Sequence, residues 1–279
     1  MLLPAAAGPA VADALTGWDR APRLLAEGLL WAAWAVVLVA VLAPRPVGLT
    51  ATRIAAPAFA GVAAATLWGA SIVAAVVAIA VTVAAAVLAA LPAYGRACAD
   101  GLAYGDEFRF PLKTPPALAA GPVPLAALLV AAGIATGPLL LADGRVVAGI
   151  VATVVGFTIA GFLARALHGL SVRWAVLVPA GITLVDPMTL ADAVLFPAEH
   201  IAGLAAAPLH PDPTTLDMRL GASVGAVAMH LTDEAQLLTA SRGRRPAGKV
   251  TVDVLLFAPV ESAAFVALAT QPTHHRRTS

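Results

Sequence analysis

The chain has 279 residues, of which 60% are hydrophobic and 12% are charged, and its formal net charge is +1. Soluble globular domains have about twice this share of charged residues, so the composition argues against a wholly soluble protein. The small net charge, without basic clusters interleaved with aromatic residues, argues against nucleic-acid binding. The single cysteine, Cys98, excludes an internal disulfide, and no Cys/His array predicts a metal site.

The N-terminal half predicts membrane-spanning helices. Residues 1–17 contain no basic residue before their apolar part, so we interpret them as an uncleaved lead-in rather than a secretory signal peptide. A first span is expected at about 24–43, where a Pro-Arg-Pro sequence follows. Residues 54–91 then form a run of 38 residues without a charged side chain. A single helix of that length would extend about 57 Å, nearly twice the thickness of a bilayer core.

This long run is therefore predicted to form two spans, at about 52–68 and 72–91, with a turn near Gly69. A fourth and a fifth span are expected at about 120–141 and 146–164. Residues 1–165 are thus interpreted as one transmembrane helical domain. A four-span topology, with residues 54–70 outside the membrane, is the alternative, and the apolar character of that segment favours five spans.

The distribution of Lys and Arg near the span ends predicts the orientation. Seven lie on the side of the C-terminus and three on the other side, which predicts a cytoplasmic C-terminus in the plasma membrane. The four-span topology gives the same count. No ionisable residue is expected near the middle of a span, which argues against a proton-coupled transporter. Gly133 and Gly137 form a GxxxG pattern, which we interpret as a helix contact within the monomer.

The loop at 104–116 alternates charged and apolar residues. One interpretation is a docking strip in which Phe108, Arg109, Phe110 and Lys113 contact the membrane surface, the C-terminal domain or a partner. The other is an ordinary interfacial linker with solvated charges. The carboxylates of this loop have no neighbouring histidine, so a catalytic role for them has little support.

Residues 170–271 predict a small domain of mainly β structure, with a closing helix after Pro259 and a disordered tail at 272–279. Turn signals separate short apolar or alternating runs. The predicted strands are residues 174–178, 182–185, 193–196, 216–220, 224–231 and 250–257.

Candidate sites in this domain are few. Arg242, Arg244 and Arg245 form a basic loop that is either a contact with anionic lipid or a solvated hairpin. His200 and His210 are too far apart in sequence to predict a metal site. No nucleophile elbow, dinucleotide fingerprint or phosphate loop occurs. We therefore predict no catalytic residue, no metal and no cofactor.

The segment RWAVLVPAGITLVDPMTLADAVLF, residues 173–196, resembles the opening strands of bacterial pleckstrin-homology-like domains. The whole chain resembles multi-pass membrane proteins of alanine-rich, high-GC bacteria of the actinobacterial type. The resemblance implies a pleckstrin-homology-like α+β fold and a module that binds lipid, peptide or protein. The expected function is non-enzymatic binding or scaffolding of a protein or lipid partner at the membrane. A subunit of a transporter or secretion assembly and an enzyme for lipid-linked substrates are the alternatives.

Overall fold

A computed structural model of the protein describes residues 3–101, 106–212, 214–241 and 247–271. They form two compact units. The first comprises Met1–Cys98 and Ala120–His168, and the second comprises Ala99–Ala119 and Gly169–Ser279. The helices are α1 (Leu3–Ala14), α2 (Arg20–Leu42), α3 (Pro46–Ala65), α4 (Ile72–Ala90), α5 (Pro92–Asp100), α6 (Pro116–Ala120), α7 (Pro122–Ala142), α8 (Val146–Ser171) and α9 (Ser262–Ala269).

Five helical stretches among the described residues are long and apolar enough to cross a membrane. The predicted number of spans is thereby confirmed in length and composition. The stretches are Arg20–Leu42, Pro46–Trp68, Ile72–Ala90, Pro116–Ala142 and Val146–Ser171. The second begins at Pro46, about six residues before the predicted start, because a proline in the first helical turn sacrifices no hydrogen bond. A helix of spanning length over 46–68 favours the five-span over the four-span topology.

Small residues bring α7 and α8 into close contact. A Cβ atom at Gly133 would lie 2.6 Å from the carbonyl oxygen of Gly156, and one at Gly137 would overlap Thr153. The GxxxG pattern therefore serves a contact within the chain, as the sequence analysis predicted. Leu167 and Ala160 of α8 belong to the same buried cluster as residues of α7.

The N-terminal lead-in forms the helix α1, which packs beside the turn between α3 and α4. Ala10 of α1 is buried with Ala63 and Ala78. Near the C-terminal end of α1, Ala14 lies so close to Gly69 that a Cβ atom there would be 3.1 Å from its Cα. A larger residue at position 69 would therefore require α1 to move by a few tenths of an ångström.

The second unit contains two four-stranded sheets. The strands are β1 (Phe108–Pro111), β2 (Trp174–Val178), β3 (Gly181–Val185), β4 (Val194–Pro197), β5 (Ile201–Ala206), β6 (Thr215–Asp217), β7 (Val227–Thr239) and β8 (Gly248–Phe257). The first sheet is the antiparallel meander β1-β2-β3-β4. The second has the order β5-β7-β8-β6, in which β6 is parallel to β8 and the other pairs are antiparallel.

The loop that the sequence analysis placed in the membrane domain belongs to the second unit. Its strand β1 pairs with β2 along its whole length, from Phe108 opposite Leu177 to Pro111 opposite Trp174. The predicted division at residue 165 is therefore corrected for residues 99–119. The physical reason is that the α7–α8 hairpin is inserted between two strands that are neighbours in one sheet.

A buried ion pair joins distant segments of this unit. Arg173 donates to both carboxylate oxygens of Asp186, at 2.9 and 3.0 Å, and also to the carbonyl oxygens of Met218 and Lys113. Asp186 additionally accepts the backbone N–H of Met188, which is the turn geometry expected of an Asp-Pro sequence. Arg173 is also one of the seven Lys and Arg residues on the side of the C-terminus, and the sequence indicates no further role for it.

The strand predictions for 216–220 and 224–231 need correction. β6 ends at Asp217, because the guanidinium of Arg219 folds back onto the Asp217 carboxylate at 2.9 and 2.8 Å and Leu220 has a left-handed φ of 55°. The expected pairing of these two strands does not occur. β6 instead pairs with β8, and β7 continues to Thr239.

Candidate binding site

The predicted docking strip is largely a structural part of the first sheet. Phe110 is 5% exposed and lies in the core, edge-to-face with Phe265 at 5.3 Å. Lys113 donates from Nζ to the carbonyl oxygen of Val224 at 2.8 Å, and Arg109 pairs with Glu107 at 3.0 Å. Phe108, 45% exposed, is the member whose side chain remains well exposed. Phe110 and Lys113 are thus explained by folding of the domain.

The predicted basic loop falls outside the structure's description. Arg242, Arg244 and Arg245 all lie between the described ends of β7 and β8, so their role stays a prediction. The absence of a metal site at His200 and His210 stays a prediction. Within residues 3–101, 106–212, 214–241 and 247–271, no group of three or more His, Cys, Asp or Glu side chains is arranged to hold a metal ion.

The strand β5 provides a candidate site that the sequence analysis did not identify. It lies at an edge of the second sheet, and in the described part of the chain its sheet partner is β7 alone. Edge strands in natural proteins are usually protected by charges or prolines, because their free backbone groups pair readily with another chain. Arg109 and Pro111 in β1, Pro197 in β4 and Asp217 in β6 are of this kind. The β5 sequence, Ile-Ala-Gly-Leu-Ala-Ala, has no such residue.

The register identifies the backbone groups that face away from the sheet. Ala207 donates its N–H to the carbonyl oxygen of Ala226 at 3.0 Å, and the pairs between β5 and β7 continue in this register. In an antiparallel ladder, hydrogen-bonded and non-hydrogen-bonded pairs alternate. Leu204 and Ala206 are therefore in non-hydrogen-bonded positions, with their N–H and C=O groups directed toward the open edge.

A groove of about 220 Å³ lies beside this edge. Gly203 and Leu204 of β5 form one side, Val178 and Gly181 of the β2–β3 hairpin form another, and Thr270 lies at the end of α9. The side chains of Ala202, Ala205 and Ala206 in β5 are small and exposed. The groove therefore combines a free backbone edge with apolar walls and leaves space along the strand.

Comparison with known protein families, with curated protein sequences and with solved structures finds no match to this chain. The groove must therefore be interpreted from its own geometry.

The sequence signal for β5 was weak for a physical reason. Its larger apolar side chains, Ile201 and Leu204, are three positions apart, whereas a regular strand places one face at every second position. A bulge between Ile201 and Gly203 brings both onto the core side. The only signal available was an uncharged, glycine-containing run between two turns.

A polar cluster in the helical unit comprises Thr52, Tyr94 and Cys98. The hydroxyl of Tyr94 lies 3.0 Å from that of Thr52, and Cys98 is fully buried. Burial raises the pKa of the Cys98 thiol above its usual range, although Tyr94 and Arg53 partly oppose this effect. Burial likewise raises the pKa of Tyr94. A thiol kept protonated in this way is a poor nucleophile.

Proposed function

We propose that this chain is a non-enzymatic, multi-pass protein of the plasma membrane that holds a protein partner beside the bilayer. Its β domain faces the cytoplasm and binds an extended segment of the partner, which adds as a strand to the edge of β5. The single observation that supports this most is the β5 edge, where Leu204 lines an apolar groove and the backbone groups of Leu204 and Ala206 are directed away from β7.

Strand addition fits the chemistry of this edge. Backbone hydrogen bonds supply affinity in this mode of recognition, and pockets for alternate side chains supply specificity. The β5 edge offers no charge to pair with, and its exposed residues are alanines. The favoured ligand is therefore an uncharged segment with small or apolar side chains, rather than an anionic lipid headgroup.

The order of the strands supports the resemblance to pleckstrin-homology-like domains. A four-stranded antiparallel meander is followed by a second sheet and then by the closing helix α9. Such a resemblance fixes neither the ligand nor the partner. The proposal of a binding module consequently depends on the groove.

The positive-inside distribution supports the proposed orientation. Residues 99–119 and 169–271 belong to one compact unit, so both ends of the α7–α8 hairpin must be on the same side of the membrane. That side is the one with the excess of Lys and Arg.

Site-specific photo-crosslinking in native membranes tests this proposal. A benzophenone amino acid at Ala205, on the exposed edge, is expected to give a discrete adduct with one partner. The same probe at Ala193, exposed and not part of the groove lining, is the matched control. Ala206→Pro removes an outward N–H without removing a bond to β7, so it should abolish the adduct while the full chain stays protease-resistant.

Two results would contradict the proposal. One is a pattern of adducts at Ala205 that is the same as at Ala193. The other is an adduct that persists in the Ala206→Pro protein, since an extended strand cannot keep its full ladder opposite a proline.

A further inference from the structure

The helical unit contains an apolar cavity of about 290 Å³ between α1, α2, α3 and α4. Its walls include Leu3 and Ala7 of α1, Trp31 of α2 and Phe59 of α3. Trp31 packs edge-to-face against Trp34, with ring centroids 5.5 Å apart. The cavity is large enough for part of a small ligand, and its lining favours hydrocarbon over water.

The cavity extends along one leaflet of the bilayer that the proposed function implies. Its charged residue, Glu27, lies seven residues into α2, which corresponds to about 10 Å below the start of that helix. Thr82 lies ten residues into α4, about 15 Å from its start and so near the middle of a 30 Å hydrocarbon core. Both helices start on the same side, because the antiparallel α3 connects them.

The helix α1 forms one wall of this cavity. It has 12 residues and extends about 18 Å, which matches one leaflet rather than a whole bilayer. Its end at Ala14 lies against Gly69, at the turn between α3 and α4, and Leu3 at its other end lines the cavity. The helix therefore runs from the membrane surface inward.

Glu27, the charged residue of the cavity lining, is paired with Arg23, which lies one helical turn earlier in α2 and outside the lining. Arg23 donates from Nε to Oε1 of Glu27 at 2.9 Å, and both side chains are partly exposed. A carboxylate accepts several hydrogen bonds, and a guanidinium has five N–H donors, so each retains capacity for a ligand. A phosphate suits the guanidinium, and an ammonium group suits the carboxylate.

We infer that this cavity binds one acyl chain of a phospholipid whose headgroup contains both a phosphate and an ammonium group, as phosphatidylethanolamine does. The chain lies between α1 and the two tryptophans, and the headgroup lies at Arg23 and Glu27. This inference rests on the proposed insertion into a membrane, and it is independent of the β5 groove.

A glycine in α1 allows the cavity to be filled by mutation. Gly8 lines the cavity, and a Cβ atom built there would have no heavy atom within 4 Å. Gly8→Leu should therefore begin its side chain in open space and occupy the volume of the acyl chain, without loss of helix propensity. Gly161 in α8 is equally open and lies outside the cavity, so Gly161→Leu is the matched control.

Native mass spectrometry of the full-length protein in mild detergent, with phosphatidylethanolamine or phosphatidylglycerol added, measures the retained lipid. The wild type and Gly161→Leu should retain one phosphatidylethanolamine molecule. Gly8→Leu should reduce this retention about ten-fold or more, since that factor corresponds to losing the contacts of only two methylene groups. Glu27→Gln, which fills no space, should lower the preference for phosphatidylethanolamine over phosphatidylglycerol.

Equal loss of lipid in Gly8→Leu and Gly161→Leu, no retained lipid in the wild type, or preferential retention of phosphatidylglycerol would overturn the inference. Extraction of the membranes with alkaline carbonate separates this failure from failure of the proposed function. A protein that stays in the pellet but retains no lipid refutes the lipid site alone, whereas a protein released into the supernatant refutes both.

Discussion

Truncation of Asp186 is the sharpest test of how the β domain is held together. Asp186→Ala would leave the guanidinium of Arg173 buried without its carboxylate partner. The side chains of Arg173 and Asp186 are 1% and 0% exposed, so solvent cannot replace the lost interaction. Removing one member of a buried ion pair costs about 3–5 kcal/mol. That is a large fraction of the 5–15 kcal/mol by which a typical domain is stable.

Urea-dependent pulse proteolysis of the full chain in detergent measures this change. With a urea dependence of about 2 kcal/mol per molar, the midpoint for cleavage within the β domain should fall by about 1.5–2.5 M. Asp192→Ala is the matched control, because Asp192 is exposed and close in sequence, and its substitution should stay within about 0.5 kcal/mol. A midpoint for Asp186→Ala that coincides with that of Asp192→Ala would refute the reasoning.

An apolar double replacement, Arg173→Met with Asp186→Leu, should recover only part of this loss. It removes both charges together, and replacing a buried ion pair by apolar side chains often costs little or no stability. The carbonyl oxygens of Lys113 and Met218, however, would lose the donor that Arg173 supplies. Each unsatisfied buried carbonyl costs about 1–3 kcal/mol. Full recovery would show that these two contacts contribute little.

Three further outcomes are expected. Gly137→Leu should push α7 away from α8 and lower the thermal midpoint of helix loss in circular dichroism; an unchanged midpoint would contradict the close contact. Burial raises the pKa of Asp217, but the hydrogen bonds and charge of Arg219 lower it by more, so the pKa of this carboxyl lies below its usual range. The stabilisation is therefore complete above the unfolded-state pKa of about 3.9 and is lost as the pH falls through the folded-state value. Asp217→Asn should flatten the loss of urea stability as the pH falls below about 4, and an unchanged acid profile would exclude this linkage. Phe110→Ala should cost about 3–5 kcal/mol in urea unfolding and Phe108→Ala less than about 0.5; similar costs would place Phe110 outside the core.

The helical unit was predictable because each span is a local property of the sequence. A run without charge between 54 and 91 is too long for one crossing, and its division near Gly69 follows from length alone. The close contact of Gly137 with α8 was also foreseeable from spacing. What local pattern did not reveal is that the lead-in forms a short helix beside the turn at Gly69.

In the β domain, strands delimited by turns were predictable from the sequence. Strands whose partner lies far away in the sequence were not. The strands around Pro179 and before Pro259 have clear turn signals and lie as expected. Contact of Phe110 with the C-terminal domain was one of the predicted alternatives, but its place in a strand was not, because the strand it pairs with lies about sixty residues later, beyond two spans. The Arg173–Asp186 pair was missed because both residues also had sufficient local explanations, as an interfacial charge and as a turn residue. The candidate groove was missed because a bulge in β5 obscures its period.

The insertion of the α7–α8 hairpin between β1 and β2 has a consequence for biosynthesis. The ribosome completes β1 about sixty residues before its partner strand, which corresponds to roughly 3–12 s at ordinary elongation rates of 5–20 residues per second. During that interval the two apolar helices α7 and α8 are synthesised, while β1 has no partner strand to pair with. We therefore expect mispairing of this strand to be most frequent between synthesis of Pro111 and of Trp174.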